Sequence, residues 1–123
     1  MKAYYDNKPL ILESVGNGSY YYRWNIEEFQ INDMNETFRT NWKCDEVIIW
    51  SPLTANKITT KVINELWNNN YEQKLINDYN CAKLGIYNEE ESNEKIENYK
   101  NFLKERNNVK IQIDNDCRDF GVI

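Results

Sequence analysis

The chain has 123 residues, with 15 basic and 20 acidic side chains and a net charge of −5. This length fits one domain, and the acidic balance excludes the basic surface by which proteins usually bind DNA or RNA. Aromatic residues make up 14% of the chain, so we expect a folded core rather than disorder. No segment reaches the roughly 18 apolar residues of a membrane span. The absence of a signal-peptide pattern favours synthesis in the cytoplasm.

The first 50 residues carry the signals of antiparallel strands. Short strands are predicted over 2–5 and 10–15, and the Gly-Asn-Gly-Ser sequence at 16–19 is a turn signal because Gly and Asn tolerate positive φ. A polar loop is predicted from Asn32 to Glu36. The last strand of this half is predicted over 38–50 and ends in the apolar run Val-Ile-Ile-Trp.

Between these elements, residues 20–31 alternate in the way a half-buried strand does. One face of this strand is predicted to hold Tyr20, Tyr22, Trp24 and Ile26, and the other to hold Tyr21, Arg23, Asn25 and Glu27. The first of these faces is aromatic. It is either one side of a small sheet packed under helices or a platform that binds a partner protein.

Residues from 51 onward show helical spacing instead. Pro52 ends the last strand, and Thr54 suits the N-cap of a first helix that reaches Trp67. The run Asn68-Asn69-Asn70 is expected to break that helix. A second helix then follows to Ala82.

The third helix is the longest element predicted. Gly85 suits the C-terminal end of the second helix, and Asn88 or Ser92 could cap the third. If it runs from Ser92 to Asp119, it spans roughly 40 Å at 1.5 Å per residue. Because that is long for so small a domain, we expect its distal turns to project, or to pack on a partner or a second copy.

Strands followed by helices predict an α+β fold. We expect a single domain, 1–123, with an N-terminal antiparallel β-hairpin or small sheet in 1–50 and three helices in 51–123. We find no internal repeat and no flexible Gly/Ser linker.

The sequence offers little for catalysis. It has no histidine, which removes the commonest general base near neutral pH and the commonest metal ligand. The neighbouring carboxylates Glu27 and Glu28 point to opposite faces of a strand, and Asp114 and Asp116 do not share a helix face. We therefore expect no enzyme, no catalytic residues, no metal and no cofactor.

Three cysteines, Cys44, Cys81 and Cys117, lie far apart in the sequence. Their odd number and wide spacing favour reduced thiols in the cytosol over a disulfide scaffold. A disulfide between two of them stays open, because sequence distance does not exclude contact in space.

An acidic run marks the start of the third helix. It comprises Glu89, Glu90, Glu91, Glu94 and Glu97. Such a run is typical of a solvated helix start, which the helix dipole favours. The alternative is an acidic patch that imitates nucleic acid and binds a host defence enzyme.

Two stretches of the helical half carry a family resemblance. They read SPLTANKITTKVINELWNNNYEQKLINDYN (51–80) and YKNFLKERNNVKIQIDND (99–116). Both resemble small proteins encoded among the structural genes of phages and prophages of gut Bacteroidales. The stretch YKNFLKERNNVK is also similar in style to helical C-terminal segments of phage tail-assembly and tail-fibre-associated proteins, in which an aromatic residue, a Leu and an Arg recur before a polar helix end.

The resemblance implies a virion component or an assembly factor. Such a protein would be made in the cytoplasm of the host bacterium, with incorporation into the virion as one outcome. It would bind tail, head or fibre proteins, or itself, through the aromatic sheet face or the long helix. The candidate protein-binding residues are Tyr20, Tyr22, Trp24, Tyr99, Phe102 and Arg106.

Overall fold

The computed structural model describes residues 1–32 and 38–123, which form four strands followed by three helices. The strands are β1 (Lys2–Tyr5), β2 (Leu12–Ser14), β3 (Ser19–Asn32) and β4 (Phe38–Trp50), and the helices are α1 (Ala55–Leu66), α2 (Asn69–Lys83) and α3 (Glu89–Asp119). The predicted α+β class, with three helices of which the last is long, is confirmed. The polar loop predicted from Asn32 to Glu36 lies outside the described residues except for Asn32, which ends β3.

The four strands form one antiparallel sheet in the order β1-β4-β3-β2. Because β1 and β2 occupy opposite edges, the connection between them, residues 6–11, has to cross the sheet. It crosses the face opposite the helices, where the Leu10 carbonyl accepts a hydrogen bond from Arg23 Nη1 at 3.0 Å. This crossing shortens the strand predicted over 10–15, which begins only at Leu12.

A bulge interrupts the alternation of β3. Trp24 pairs with Asp45, whereas the next register pair along β3 is Glu27 with Lys43. Asn25 adopts a φ of 52°, a left-handed conformation that Asn tolerates better than most residues. The extra residue shifts the strand by one position, so Glu27 shares the face of Trp24. The prediction that Ile26 continues the aromatic face is therefore wrong.

Side-chain caps set the helix starts. The side chains of Thr54, Asn68 and Asn88 accept hydrogen bonds from the backbone N–H groups three residues later, as N-cap residues do. The predicted cap at Thr54 is confirmed, and Asn88 rather than Ser92 caps α3. The break predicted over three Asn residues is limited to Trp67 and Asn68, because Asn69 and Asn70 begin α2.

The main core lies between the sheet and two helices. Tyr22 and Trp24 of β3 meet Ile58 and Val62 of α1 and the distal part of α3. The full set of buried core residues is Tyr22, Trp24, Val47, Ile49, Ile58, Val62, Ile113 and Cys117. The expectation that the distal turns of α3 project is wrong, because Ile113 and Cys117 are buried in this core.

The first half of α3 instead pairs with α2 beyond the sheet core. Phe102, which is 4% exposed, makes edge-to-face contacts with Trp67 and Tyr71, at centroid distances of 5.2 and 6.0 Å. Tyr79 packs on Tyr99 at 4.9 Å. We call these five residues the α2–α3 aromatic cluster. The 31-residue α3 thus joins two cores, which explains its length of about 46 Å at 1.5 Å per residue.

The cysteines give a direct test of this packing. Cys44 and Cys117 are buried and Cys81 is partly exposed, and all three are free thiols. Burial raises the pKa of Cys44 and Cys117, so less thiolate forms at a given pH. We expect one fast-reacting thiol in the native protein and three after denaturation, measured with a thiol-specific chromogenic reagent at about pH 8. Two or more fast thiols in the native state would contradict this packing.

Candidate binding surface

The aromatic stripe of β3 faces the helices. Tyr22 and Trp24 are 1% and 7% exposed, and their rings stack at a centroid distance of 6.0 Å. The Tyr22 hydroxyl donates to Asp116 Oδ2 at 2.6 Å, and burial together with this bond raises the pKa of Tyr22. Tyr20 is half-buried. The stripe is therefore mainly a core face, one of the two alternatives that the sequence left open, and buried Tyr22 and Trp24 present no surface to a partner.

The candidate residues on α3 lie at its contact with α2. Tyr99 and Phe102 belong to the α2–α3 aromatic cluster, and Phe102 is buried. Arg106, one turn further on, places its Nε 4.0 Å from Glu72 Oε1, which is ion-pair distance but too long for a hydrogen bond. The fold brings these three residues together, but mainly to hold two helices against each other.

The five glutamates at the start of α3 are all exposed. Glu89, Glu90 and Glu91 form its first turn, where negative charge interacts favourably with the helix dipole. With 3.6 residues per turn, Glu90, Glu94 and Glu97 fall within a sector of about 60°. None of the five forms an ion pair within residues 1–32 and 38–123.

A groove that the sequence did not single out lies between α1 and the end of β4. Its floor is the β4 segment 46–50, its wall is the outer side of α1 from Asn56 to Glu65, and Met1 closes one end. It has a volume of about 680 Å³, within the range of protein ligand sites. We call it the α1–β4 groove.

The floor of this groove is an open strand edge. β1 pairs with β4 as far as Asp45, and the next residue, Glu46, donates its N–H to the Met1 carbonyl at 2.8 Å. Along an antiparallel strand, residues two apart direct their backbone hydrogen bonds to the same side. The N–H and C=O of Ile48 therefore point into the groove, where the described part of the chain provides no further strand.

Apolar side chains border the same edge. Ile48 is 37% exposed and Trp50 is 58% exposed, and their register partners on β3 are Tyr21 and Ser19. Both side chains lie on the face opposite the helices, while the neighbouring Val47 and Ile49 are buried in the core. The groove thus combines open backbone groups with an exposed apolar rim.

Within the described residues, the carboxylates beside the groove have ion-pair partners and its lysines do not. Glu46 forms an ion pair with Arg23 at 3.0 Å, and Glu65 pairs with the Met1 amino group. Lys57 Nζ donates to the Trp50 carbonyl at 3.0 Å. Among the described residues, neither Lys57 nor Lys61 has a carboxylate partner. The net local charge left without a counterion is therefore positive.

A buried polar cluster lies on the sheet face opposite the helices, under the crossing segment 6–11. We call it the Arg23 cluster; it comprises Arg23, Tyr5, Glu13 and Glu46. Arg23 is 2% exposed, and its guanidinium lies over the Tyr5 and Tyr21 rings at 4.7 and 4.9 Å. It donates to Glu46 and Glu13 and to the Tyr5 hydroxyl. Burial and the hydrogen bond from Tyr5 to Glu46 raise the pKa of Tyr5 to about 12.

The Arg23 cluster is a structural feature by its geometry. Burial opposes the charge of Arg23, yet its hydrogen bonds to Glu46, Glu13 and Tyr5 more than offset that effect, and its pKa is raised. Four of the five guanidinium N–H groups donate hydrogen bonds within the chain, and the side chain is buried, so the group is not presented to a ligand.

No family model, curated protein or solved structure matches this chain. No helix within the described ranges is long and apolar enough to cross a membrane. The same ranges hold no group of three or more Asp, Glu or Cys residues arranged to bind a metal ion.

Proposed function

We propose that this chain is a non-catalytic binding protein, a phage-derived structural or assembly protein that binds virion proteins or associates with itself. The observation that supports the proposal is the α1–β4 groove, with its open strand edge and the exposed Ile48 and Trp50. Exposed apolar side chains grouped at one place mark interaction sites on small proteins. The resemblance of the helical half to phage proteins supports virion proteins as the class of partner.

The test measures the mass of the chain in solution, alone and mixed with tail, head and fibre proteins of a Bacteroidales phage, at low and high salt. Light scattering after size-exclusion chromatography should give either a discrete oligomer or a stoichiometric complex that survives salt, because apolar contacts are not screened. Ile48→Asp should abolish it, since it places a charge on the apolar rim.

The matched control for Ile48→Asp is Ile86→Asp. Ile86 is 68% exposed and lies in the turn between α2 and α3, far along the chain from the groove. This control should leave the mass unchanged, and circular dichroism should show that both variants keep the fold. A wild-type monomer that binds none of the virion proteins would refute the proposed function.

A second candidate is an acidic inhibitor of a host defence enzyme. What favours it is the exposed group Glu90, Glu94 and Glu97 on one side of α3, which forms no ion pair with the part of the chain that the structure describes. Binding of this kind should weaken with salt. The double substitution Glu89→Lys and Glu90→Lys should weaken it further, and unchanged inhibition of a purified DNA-binding defence nuclease would count against this candidate.

A further inference from the structure

We infer that the α1–β4 groove binds an extended, acidic segment of a partner protein, which adds to the sheet as a strand beside β4. The inference rests on the proposed binding function and specifies its partner. Strand addition uses the backbone of an exposed edge for affinity and alternate side chains for specificity. Both elements are present in this groove.

The backbone element is the edge at Ile48. Its N–H and C=O point into the groove and can bond one residue of an added antiparallel strand, as Glu46 bonds Met1 on the same line. Natural sheets commonly protect such edges with charged residues, Pro or a covering segment. Here the edge residues 47–50 are Val, Ile, Ile and Trp, and the groove beside them is open.

The side-chain element is an alternation of environments across the added strand. Residues of the added strand that point to the sheet face opposite the helices would meet Ile48 and Trp50, which are exposed and apolar. Residues pointing to the opposite face would meet α1, where Lys57 and Lys61 lie one turn apart. Because side chains of a strand alternate between faces, the matching segment alternates apolar and acidic residues.

The charges also argue against a second copy as the occupant. A copy that entered through its own β4 edge would bring an identical Lys57 and Lys61 pair and its own α1 toward the same groove. Like charges brought together in an interface oppose association. The carboxylates nearest the groove, Glu46 and Glu65, already have partners, so a second copy joined at its β4 edge brings no free carboxylate to Lys57 and Lys61.

The experiment titrates the full chain with peptides of about nine residues, the length of one strand. The probe alternates Val and Glu, and the matched control alternates Val and Lys. Backbone amide shifts are followed by NMR. The acidic peptide should shift the amides of Ile48 and Trp50, and the basic peptide should bind at least tenfold more weakly.

Two further arms separate strand addition from simple charge attraction. A Val/Glu peptide with N-methylated central amides keeps its charge but loses backbone donors, and it should lose binding. Lys57→Gln with Lys61→Gln should weaken binding severalfold, while Lys100→Gln with Lys104→Gln, exposed lysines on α3, should not. Equal binding of the N-methylated peptide, or shifts that map elsewhere, would overturn strand addition.

The outcomes also separate this inference from the proposed function. If about 1 mM of the Val/Glu peptide produces no amide shift, strand addition is overturned. At that concentration even a complex with a Kd of about 1 mM, or about −4 kcal/mol, would be visible. The binding function would still stand if Ile48→Asp abolished a complex with a virion protein. If the chain forms neither an oligomer nor a complex with a virion protein, but the peptide binds at Ile48, the groove binds acidic strands and the phage assignment fails.

Discussion

Replacing Arg23 with Met is expected to lower the free energy of unfolding by about 3–5 kcal/mol. Arg23 and Glu46 are 2% and 5% exposed, so removing the guanidinium leaves a buried carboxylate without its cation. The substitution also removes the hydrogen bond to the Leu10 carbonyl, which holds the crossing segment 6–11 against the sheet. Urea denaturation followed by tryptophan fluorescence gives the free energy directly.

The pattern among related variants is the sharper test. Glu13→Gln should cost less than about 1 kcal/mol, because the Glu13 side chain is 46% exposed and its ion pair is screened by water. The double variant Arg23→Met with Glu46→Met should recover much of the stability, since apolar residues often replace buried ion pairs without loss. A double variant less stable than Arg23→Met would show that the buried charge is not the cause.

The sequence could predict elements that depend on local signals. Strand alternation, the Thr54 cap and the spacing of Ile58 and Val62 are readable because each depends on residues within one turn or one strand. The bulge at Asn25 is not readable, because it is a property of the pairing between β3 and β4. For the same reason the predicted alternation is wrong beyond Trp24, at Ile26.

The candidate site shows the same limit more strongly. In the sequence, Tyr22 and Trp24 fit either a binding platform or a core face, and only the positions of α1 and α3 against the sheet decide between the two. The groove depends on β1 ending beside Asp45 and on α1 lying next to the exposed edge. Both are tertiary facts. A signal was present in the run Val-Ile-Ile-Trp, but an apolar strand end by itself does not distinguish a buried edge from an open one.

Phe102→Ala is expected to destabilise the protein by about 3–5 kcal/mol, as for other buried aromatic side chains. Phe102 lies at the centre of the α2–α3 aromatic cluster, in contact with Trp67, Tyr71 and Tyr99. Since α2 packs mainly on α3, the loss should fall first on α2. Hydrogen exchange measured by mass spectrometry should show that the variant exchanges faster than the wild type across Asn69–Lys83. The increase in β3 and β4 should be smaller.

The adjacent residue supplies the control. Leu103 is 43% exposed on the same helix, so Leu103→Ala keeps a similar helix propensity and should change stability by no more than about 0.5 kcal/mol. The main core, which contains Ile113 and Cys117 from the distal part of α3, should keep its slow exchange in Phe102→Ala. If exchange instead rises equally in α2 and in the sheet, the two cores unfold as one unit. In that case α3 would couple the helical pair to the sheet more tightly than separate packing provides.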